Sequence, residues 1–111
     1  MDVIVTQYKR CDVVKAAGRV DSYTSPDLEK AFGEIIGAGR YKIVFDMQNV
    51  DFISSKGLWV LIDAQKKCRR YKRGEVVLAN IHPEIRESLN LVGLSNYFKI
   101  YDDLTAAVGS F

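Results

Sequence analysis

Two periods of hydrophobic and polar residues alternate along the chain, and each change of period marks a change from strand to helix. Val3–Tyr8 and Asp12–Ala17 are short β-prone runs, and Lys9–Arg10 lies between them, which predicts a β-hairpin. Gly18–Ser25 follows as a predicted polar loop. The chain therefore opens with two antiparallel strands.

The first helical period follows this loop. Pro26 suits the first turn of a helix, with Ser25 or Thr24 as its cap, and Gly37 and Gly39 predict its end. The apolar positions on one face of this helix are Leu28, Ala31, Phe32, Ile35 and Ile36.

The middle of the chain predicts a buried strand, a loop and a long helix. Ile43–Phe45 is continuously apolar, as expected of a strand covered on both faces. Asp46–Ser54 is the predicted loop beyond its carboxyl end. A helix is predicted from about Ser55 to Arg73, with Gly74 as its terminator. Its predicted inner positions are Leu58, Leu61, Ile62, Gln65 and Cys68, and its outer positions are Asp63, Lys66, Lys67, Arg70 and Arg73.

The last third of the chain repeats the alternation. Val76–Ala79 is a predicted buried strand, and Pro83 opens a helix that ends at Gly93. Tyr97–Tyr101 is the last predicted strand, and Asp102 or Asp103 caps a final helix. Strands that alternate with helices predict an α/β layered domain with a mostly parallel sheet, to which the opening hairpin adds an antiparallel edge.

Composition narrows the class of protein. The chain has 111 residues, which predicts one domain covering residues 1–111, and its net charge of +2 gives no reason to expect a direct nucleic-acid partner. Two cysteines and a start without the basic and apolar regions of a signal peptide predict a reducing, cytoplasmic setting. No apolar run is long enough for a membrane span.

The most informative stretch is Asp51–Leu58, where two hydroxyls lie between a strand and an amphipathic helix. A helix N-terminus has free N–H donors and a partial positive charge, so a phosphate on a serine there is electrostatically favoured. Asp21–Ser22 also follows a predicted strand, and the carboxyl ends of strands meet at one edge of an α/β sheet. Ser54–Ser55 and Asp21–Ser22 therefore predict a shared switch surface rather than a catalytic site.

Several features in this order resemble the STAS domain, the fold of bacterial anti-sigma-factor antagonists. They are Gly18-Arg-Val-Asp21 with Leu28, Ile43–Asp46, Val50–Ile53, Ser54-Ser-Lys-Gly-Leu58, and a C-terminal half with Val77-Leu78, Pro83, Ile85, Leu89, Gly93-Leu94, Phe98 and Ile100. In the family the phosphorylatable residue stands two before the loop glycine. Aligned on Gly57, that residue is Ser55, and Ser54 takes the place of the family's common aspartate. Lys56 departs from the family's small residue.

The resemblance implies a non-enzymatic binding protein without a cofactor. When unphosphorylated, it would bind an anti-sigma-factor serine kinase and so release a sigma factor. Phosphorylation at Ser55 would separate the complex, and a phosphatase acting on phosphoserine would reset it. The expected partner-binding residues are Asp21, Ser22, Ser54, Ser55, Lys56, Gly57, Leu58 and Trp59. The resemblance gives no oligomeric state.

Alternatives remain for individual residues. Ser54 alone is better explained as a helix cap, and Trp59 is equally compatible with core packing and with a partner anchor. The basic stretch Lys66–Arg73 suits a solvated helix face or a docking surface for an acidic protein. His82 suits a capping or surface role. Cys11 is expected to be partly exposed.

Two further hypotheses concern function. The protein could be an unphosphorylated STAS scaffold or an accessory subunit of a signalling or transporter complex. A third hypothesis is a nucleotide hydrolase, but the sequence contains no recognisable nucleophile–base pair and no phosphate-binding loop. A magnesium site made by Asp21, Asp46 and Asp51 is a further alternative.

Overall fold

The computed structural model describes residues 1–70 and 73–111. The elements in chain order are β1 (Asp2–Gln7), β2 (Asp12–Val20), α1 (Ser25–Gly37), β3 (Lys42–Ile53), α2 (Ser55–Arg69), β4 (Glu75–Ala79), α3 (Pro83–Leu91), β5 (Ile100–Tyr101) and α4 (Leu104–Gly109).

The strands form one five-stranded sheet in the order β1-β2-β3-β4-β5. β1 runs antiparallel to β2, and every other neighbouring pair is parallel. This arrangement confirms the predicted α/β class, the mostly parallel sheet and the N-terminal hairpin. The long helix after the predicted switch stretch is also confirmed.

Helices cover both faces of the central strands, so consecutive residues of a strand enter different hydrophobic clusters. Val14 and Phe45 pack in the larger cluster, with residues of α1, α2 and α3. Their neighbours Val13 and Val44 pack in a smaller cluster with Ala107 of α4. Because both faces are covered, Ile43–Phe45 has no polar alternation, as its sequence predicted.

The predicted loop Asp46–Ser54 is wrong over most of its length, and the predicted loop Gly18–Ser25 is wrong in its first three residues. β2 continues to Val20 and β3 continues to Ile53, because the two segments pair with each other in parallel. The register shifts twice along this pairing, at bulges that place extra residues in β3. As a result Gln48 and Asn49 are both exposed, and so are Asp51 and Phe52, which removes the alternation expected of a strand.

Three other predictions need correction. β5 contains only Ile100–Tyr101, and α2 ends at Arg69, with Arg70 as its C-cap residue. The end of the predicted Ser55–Arg73 helix includes residues 71 and 72, which lie outside the described residues. Cys11 is buried rather than partly exposed, because it packs in the smaller hydrophobic cluster.

Candidate functional site

The carboxyl ends of β2 and β3 bring the two predicted switch segments together. Val20 and Ile53 are register partners, and the Ser54 N–H donates to the Val20 carbonyl at 2.8 Å. Asp21 and Ser54 therefore start from adjacent points at the same edge of the sheet. The shared location predicted from the sequence is confirmed.

Ser54 ends the strand and begins the helix. Its backbone is extended, with φ −86° and ψ 173°, and its Oγ accepts a hydrogen bond from Gly57 N at 3.2 Å. This geometry confirms the capping role expected of Ser54. Ser55 is then the first helical residue, and its side chain is exposed.

Gly57 fixes the position of this helix end on the sheet. A Cβ at Gly57 would lie 2.7 Å from Val20 Cγ1, 2.8 Å from Ile53 Cγ1 and 3.2 Å from the Val20 carbonyl oxygen. Only a residue without a side chain fits this approach. Gly57 thus places Ser55 at a set position above the ends of β2 and β3.

The Asp21 side chain organises the neighbouring loop. Its Oδ1 accepts hydrogen bonds from Thr24 N at 3.1 Å and Tyr23 N at 3.0 Å, and the Thr24 hydroxyl approaches it as well. These bonds, first the one from Thr24 N and then the one from Tyr23 N, lower the pKa of the Asp21 carboxyl below its ordinary value despite some desolvation. The carboxylate is therefore charged at neutral pH. Thr24 is at the N-cap position of α1, but its hydroxyl donates to the Arg19 carbonyl at 2.6 Å instead of capping the helix.

The expected partner-binding residues differ in exposure. Ser22, Ser55, Lys56 and Trp59 are exposed, and Asp21 and Ser54 are half-buried. Gly57 is buried, and half-buried Leu58 packs against the core, so these two residues support the surface from beneath.

Trp59 is not a core residue, because 61% of its surface is exposed. It lies one turn after Ser55 on the same side of α2, where residues four apart are neighbours. The Lys66 ammonium lies 5.9 Å from the centre of the Trp59 ring. Exposure of a large aromatic side chain at this point is typical of a binding surface.

The sequence prediction missed two aromatic residues at the same edge of the sheet. Tyr23 is 91% exposed and directly follows the Asp21–Ser22 segment. Phe52 is 38% exposed two residues before Ser54, and the Arg19 guanidinium lies 4.0 Å from its ring centre. The exposed pair Asp51–Phe52 results from a β3 bulge, which depends on pairing with β2 and leaves no local sequence signal.

The possible magnesium ligands do not share one environment. Asp46 is buried, and its Oδ1 accepts from Gln48 N at 3.1 Å and from Asn80 Nδ2 at 3.0 Å, whereas Asp51 is exposed. Within residues 1–70 and 73–111, no group of three or more His, Cys, Asp or Glu side chains is arranged to hold a metal ion.

His82 lies at the start of α3, and the basic stretch lies along the second half of α2, where Lys66 approaches Trp59. His82 is exposed at the N-cap position of α3, and its Nε2 lies 2.8 Å from the Gln48 carbonyl oxygen. Lys66, Lys67 and Arg70 are exposed, as predicted for the outer face of α2. Across the described part of the chain, no helix has the length and apolar character needed to cross a membrane.

Solved structures share this fold. An anti-sigma factor antagonist from Mycobacterium paratuberculosis is 28% identical with a TM-score of 0.84, and the match covers 98% of this chain and 92% of that one. SpoIIAA in its unphosphorylated form matches with a TM-score of 0.78 at 14% identity, over 98% of this chain and 96% of that one. The second likeness is one of fold alone.

Sequence comparison places the chain among known proteins. BtrV of Bordetella bronchiseptica is 31% identical over 94 residues, which cover 85% of this chain and 80% of BtrV. The anti-sigma-F factor antagonist RsfB of Mycobacterium tuberculosis is 28% identical over 107 residues, which cover 96% of this chain and 85% of RsfB. The family model for the STAS domain matches residues 2–107. The chain therefore belongs to the STAS domain family.

Proposed function

We propose that this protein is an anti-sigma-factor antagonist whose binding to a serine kinase of the anti-sigma type is switched off by phosphorylation at Ser55. The observation that carries the proposal is the position of Ser55: an exposed hydroxyl on the first residue of a capped, 15-residue helix. The relatives named as antagonists of anti-sigma factors support the same role.

The local electrostatics favour a phosphate on Ser55. The first turn of α2 contains no acidic residue. The first N–H groups of a helix have no backbone acceptor within it, and here the Gly57 N–H donates to the Ser54 side chain. Exposed Lys56 adds a positive charge next to the hydroxyl. A phosphoserine carries about −1.5 to −2 charges at neutral pH, and the helix N-terminus stabilises that charge. The folded domain therefore tolerates the modification.

A docked partner does not tolerate it. A protein that covers Ser55 and the neighbouring Trp59 removes water from the hydroxyl, and a phosphate in the same place would have to be desolvated. Asp21 at the same edge of the sheet adds a negative charge that is present at neutral pH. A hundredfold loss of affinity requires only about 2.7 kcal/mol, which one desolvated phosphate readily exceeds.

The cycle needs two enzymes that act on the protein. A kinase that is also the binding partner adds the phosphate, and a phosphatase specific for phosphoserine removes it. Both free cysteines are buried and unpaired, which agrees with a reducing bacterial cytoplasm as the proposed location.

Intact-mass measurement tests the site directly. The protein is incubated with ATP and the anti-sigma-type kinase encoded in the same genome. We expect one added phosphate in the wild type and in Ser54→Ala, and none in Ser55→Ala. Ser54→Ala is the matched control, because it removes the adjacent hydroxyl and about 1 kcal/mol of capping energy but leaves Ser55 in place. Full incorporation into Ser55→Ala would place the modification elsewhere.

A further inference from the structure

β1 forms one edge of the sheet and has none of the features that usually protect such an edge. No strand of the described residues lies beyond it, and its six residues pair with β2 in an unbroken register, without a bulge. It contains no proline, and no charged residue follows Asp2 until Lys9. The opposite edge, β5, has only two residues, and so short a strand is a poor template. The β1 edge therefore favours pairing with another strand.

The hydrogen bond that closes the β1–β2 turn shows which backbone groups of β1 face away from β2. The Tyr8 N–H donates to the Cys11 carbonyl at 2.8 Å, and bonded and non-bonded residue pairs alternate along an antiparallel ladder. The residues of β1 that bond to β2 are therefore Asp2, Ile4 and Thr6. The residues whose N–H and C=O groups point outward are Val3, Val5 and Gln7.

The side chains of β1 are also largely uncovered. Ile4 is 61% exposed and Val5 is 42% exposed. Val5 lies opposite buried Val14, on the side of the sheet that holds the larger hydrophobic cluster, so the strand contacts the core and remains open at its edge. The run 3–6 consists entirely of β-branched residues, which pack well against a neighbouring strand. A further strand would cover them.

The charges at the two ends of β1 indicate which strand fits there. Asp2 lies at one end, and Lys9 and Arg10 lie just beyond the other. Two antiparallel copies of β1 would bring Asp2 of each copy toward the basic end of the other, whereas parallel copies would place like charges together. The Met1 ammonium, at the acidic end, is already paired with Asp27 at 3.3 Å. The strand is thus complementary to itself about a two-fold axis.

We propose that β1 pairs with β1 of a second copy of this chain, in an antiparallel arrangement that joins the two sheets into one. The register with Val5 opposite Val5 uses all the outward groups, because Val3 of each copy then bonds to Gln7 of the other. None of the expected partner-binding residues lies in β1, so the pairing itself uses no residue of the switch surface. One strand pair is a small interface, so the dimer is reversible and depends on concentration.

Sedimentation equilibrium over a concentration series, from about 10 µM to about 1 mM, tests the association. We expect the mass to rise from that of one chain, 12.5 kDa, toward that of two. Amide hydrogen exchange measured by NMR at both ends of the series locates the contact. The amides of Val3, Val5 and Gln7 should exchange more slowly at the high concentration. Those of Ile4 and Thr6 should be protected at both, because they bond to β2.

Substitutions at Val5 separate pairing from folding. Val5→Pro removes an outward N–H but no bond to β2, and proline is tolerated at such edge positions. Because Val5 lies on the two-fold axis, the change removes a bond from both copies and should weaken the association about tenfold or more, with an unchanged circular dichroism spectrum. Val5→Lys, which places two ammonium groups side by side, should also weaken it.

Leu91→Lys is the matched control. It introduces the same charge at an apolar residue that is 81% exposed, on α3 and outside the proposed interface. It should leave the association unchanged.

Three results would overturn the proposal. One is the mass of a single chain at every concentration. Another is a rise in mass without slower exchange at Val3, Val5 and Gln7, which would place the contact elsewhere. The third is a loss of association in Leu91→Lys that equals or exceeds the loss in the two Val5 variants, because it would assign the contact to the exposed end of α3.

Discussion

Replacement of Gly57 by alanine tests whether the switch helix rests on the sheet as described. The added methyl group would lie 2.7 Å from Val20 Cγ1 and 2.8 Å from Ile53 Cγ1, well inside normal contact distance. Val20 and Ile53 are both buried at the ends of paired strands, and the Val20 carbonyl oxygen at 3.2 Å belongs to the rigid backbone. The N-terminus of α2 must therefore move away from the sheet, or the two side chains must leave their preferred rotamers.

The size of the effect follows from two opposing contributions. Overpacking a well-packed core costs about 1–3 kcal/mol. Alanine in a helix is favoured over glycine by up to about 1 kcal/mol, so Gly57→Ala should lower the free energy of unfolding by roughly 1 kcal/mol. Gly33 in α1 is the matched control, since a Cβ there meets nothing within 4 Å. Gly33→Ala should therefore raise the stability by up to about 1 kcal/mol.

Urea denaturation followed by circular dichroism measures both variants. With a slope of about 1–3 kcal/mol per molar urea, the two midpoints should differ by roughly 1 M, with Gly57→Ala below the wild type and Gly33→Ala above it. If Gly57→Ala were as stable as Gly33→Ala, the close contact of α2 with Val20 and Ile53 would not exist.

Two further predictions concern buried groups on α2. Gln65 is fully buried, and its side chain donates to the carbonyls of Val76 and Tyr97, both at 3.0 Å, and accepts from Val76 N at 2.6 Å. Gln65→Leu leaves these backbone groups without their partners and should lower the free energy of unfolding, measured by urea denaturation, by about 1–3 kcal/mol. A variant as stable as the wild type would contradict these three hydrogen bonds. Burial raises the pKa of the Cys68 thiol from 9.0 to about 12, so the folded state retains this proton more tightly than the unfolded state. The resulting contribution to the free energy of unfolding is complete below pH 9 and is lost as the pH rises toward 12. Thiol reagents at pH 8 should label Cys68 only after the protein unfolds. Rapid labelling of the native protein would show instead that the Cys68 thiol is accessible.

The pattern of apolar residues alone predicted the elements in which each face stays buried or exposed along its whole length. The apolar face of α1 and the continuous run Ile43–Phe45 both match their burial in the structure. The second half of β3 could not be predicted in this way. Its exposed pairs Gln48–Asn49 and Asp51–Phe52 arise from bulges against β2, so the pattern depends on a partner more than 30 residues earlier in the chain.

The same dependence on distant contacts explains the short β5. The Gln65 side chain, from the middle of α2, bonds to the Val76 backbone and the Tyr97 carbonyl where further strand pairing was expected. A side chain that takes the place of strand hydrogen bonds has no signature in the sequence around Tyr97. The position of Asp21, Ser54 and Ser55 at one edge of the sheet was predicted correctly, because the rule about strand ends depends only on the order of elements.

The central claim is that a phosphate on Ser55 is accepted by the domain and rejected by its partner. Isothermal titration of the anti-sigma-type kinase, once with the unmodified protein and once with protein phosphorylated at Ser55, measures this difference directly. We expect the phosphorylated form to bind about a hundredfold more weakly, a change of about 2.7 kcal/mol, while its thermal unfolding stays close to that of the unmodified form. Equal affinities of the two forms for the kinase would contradict the account.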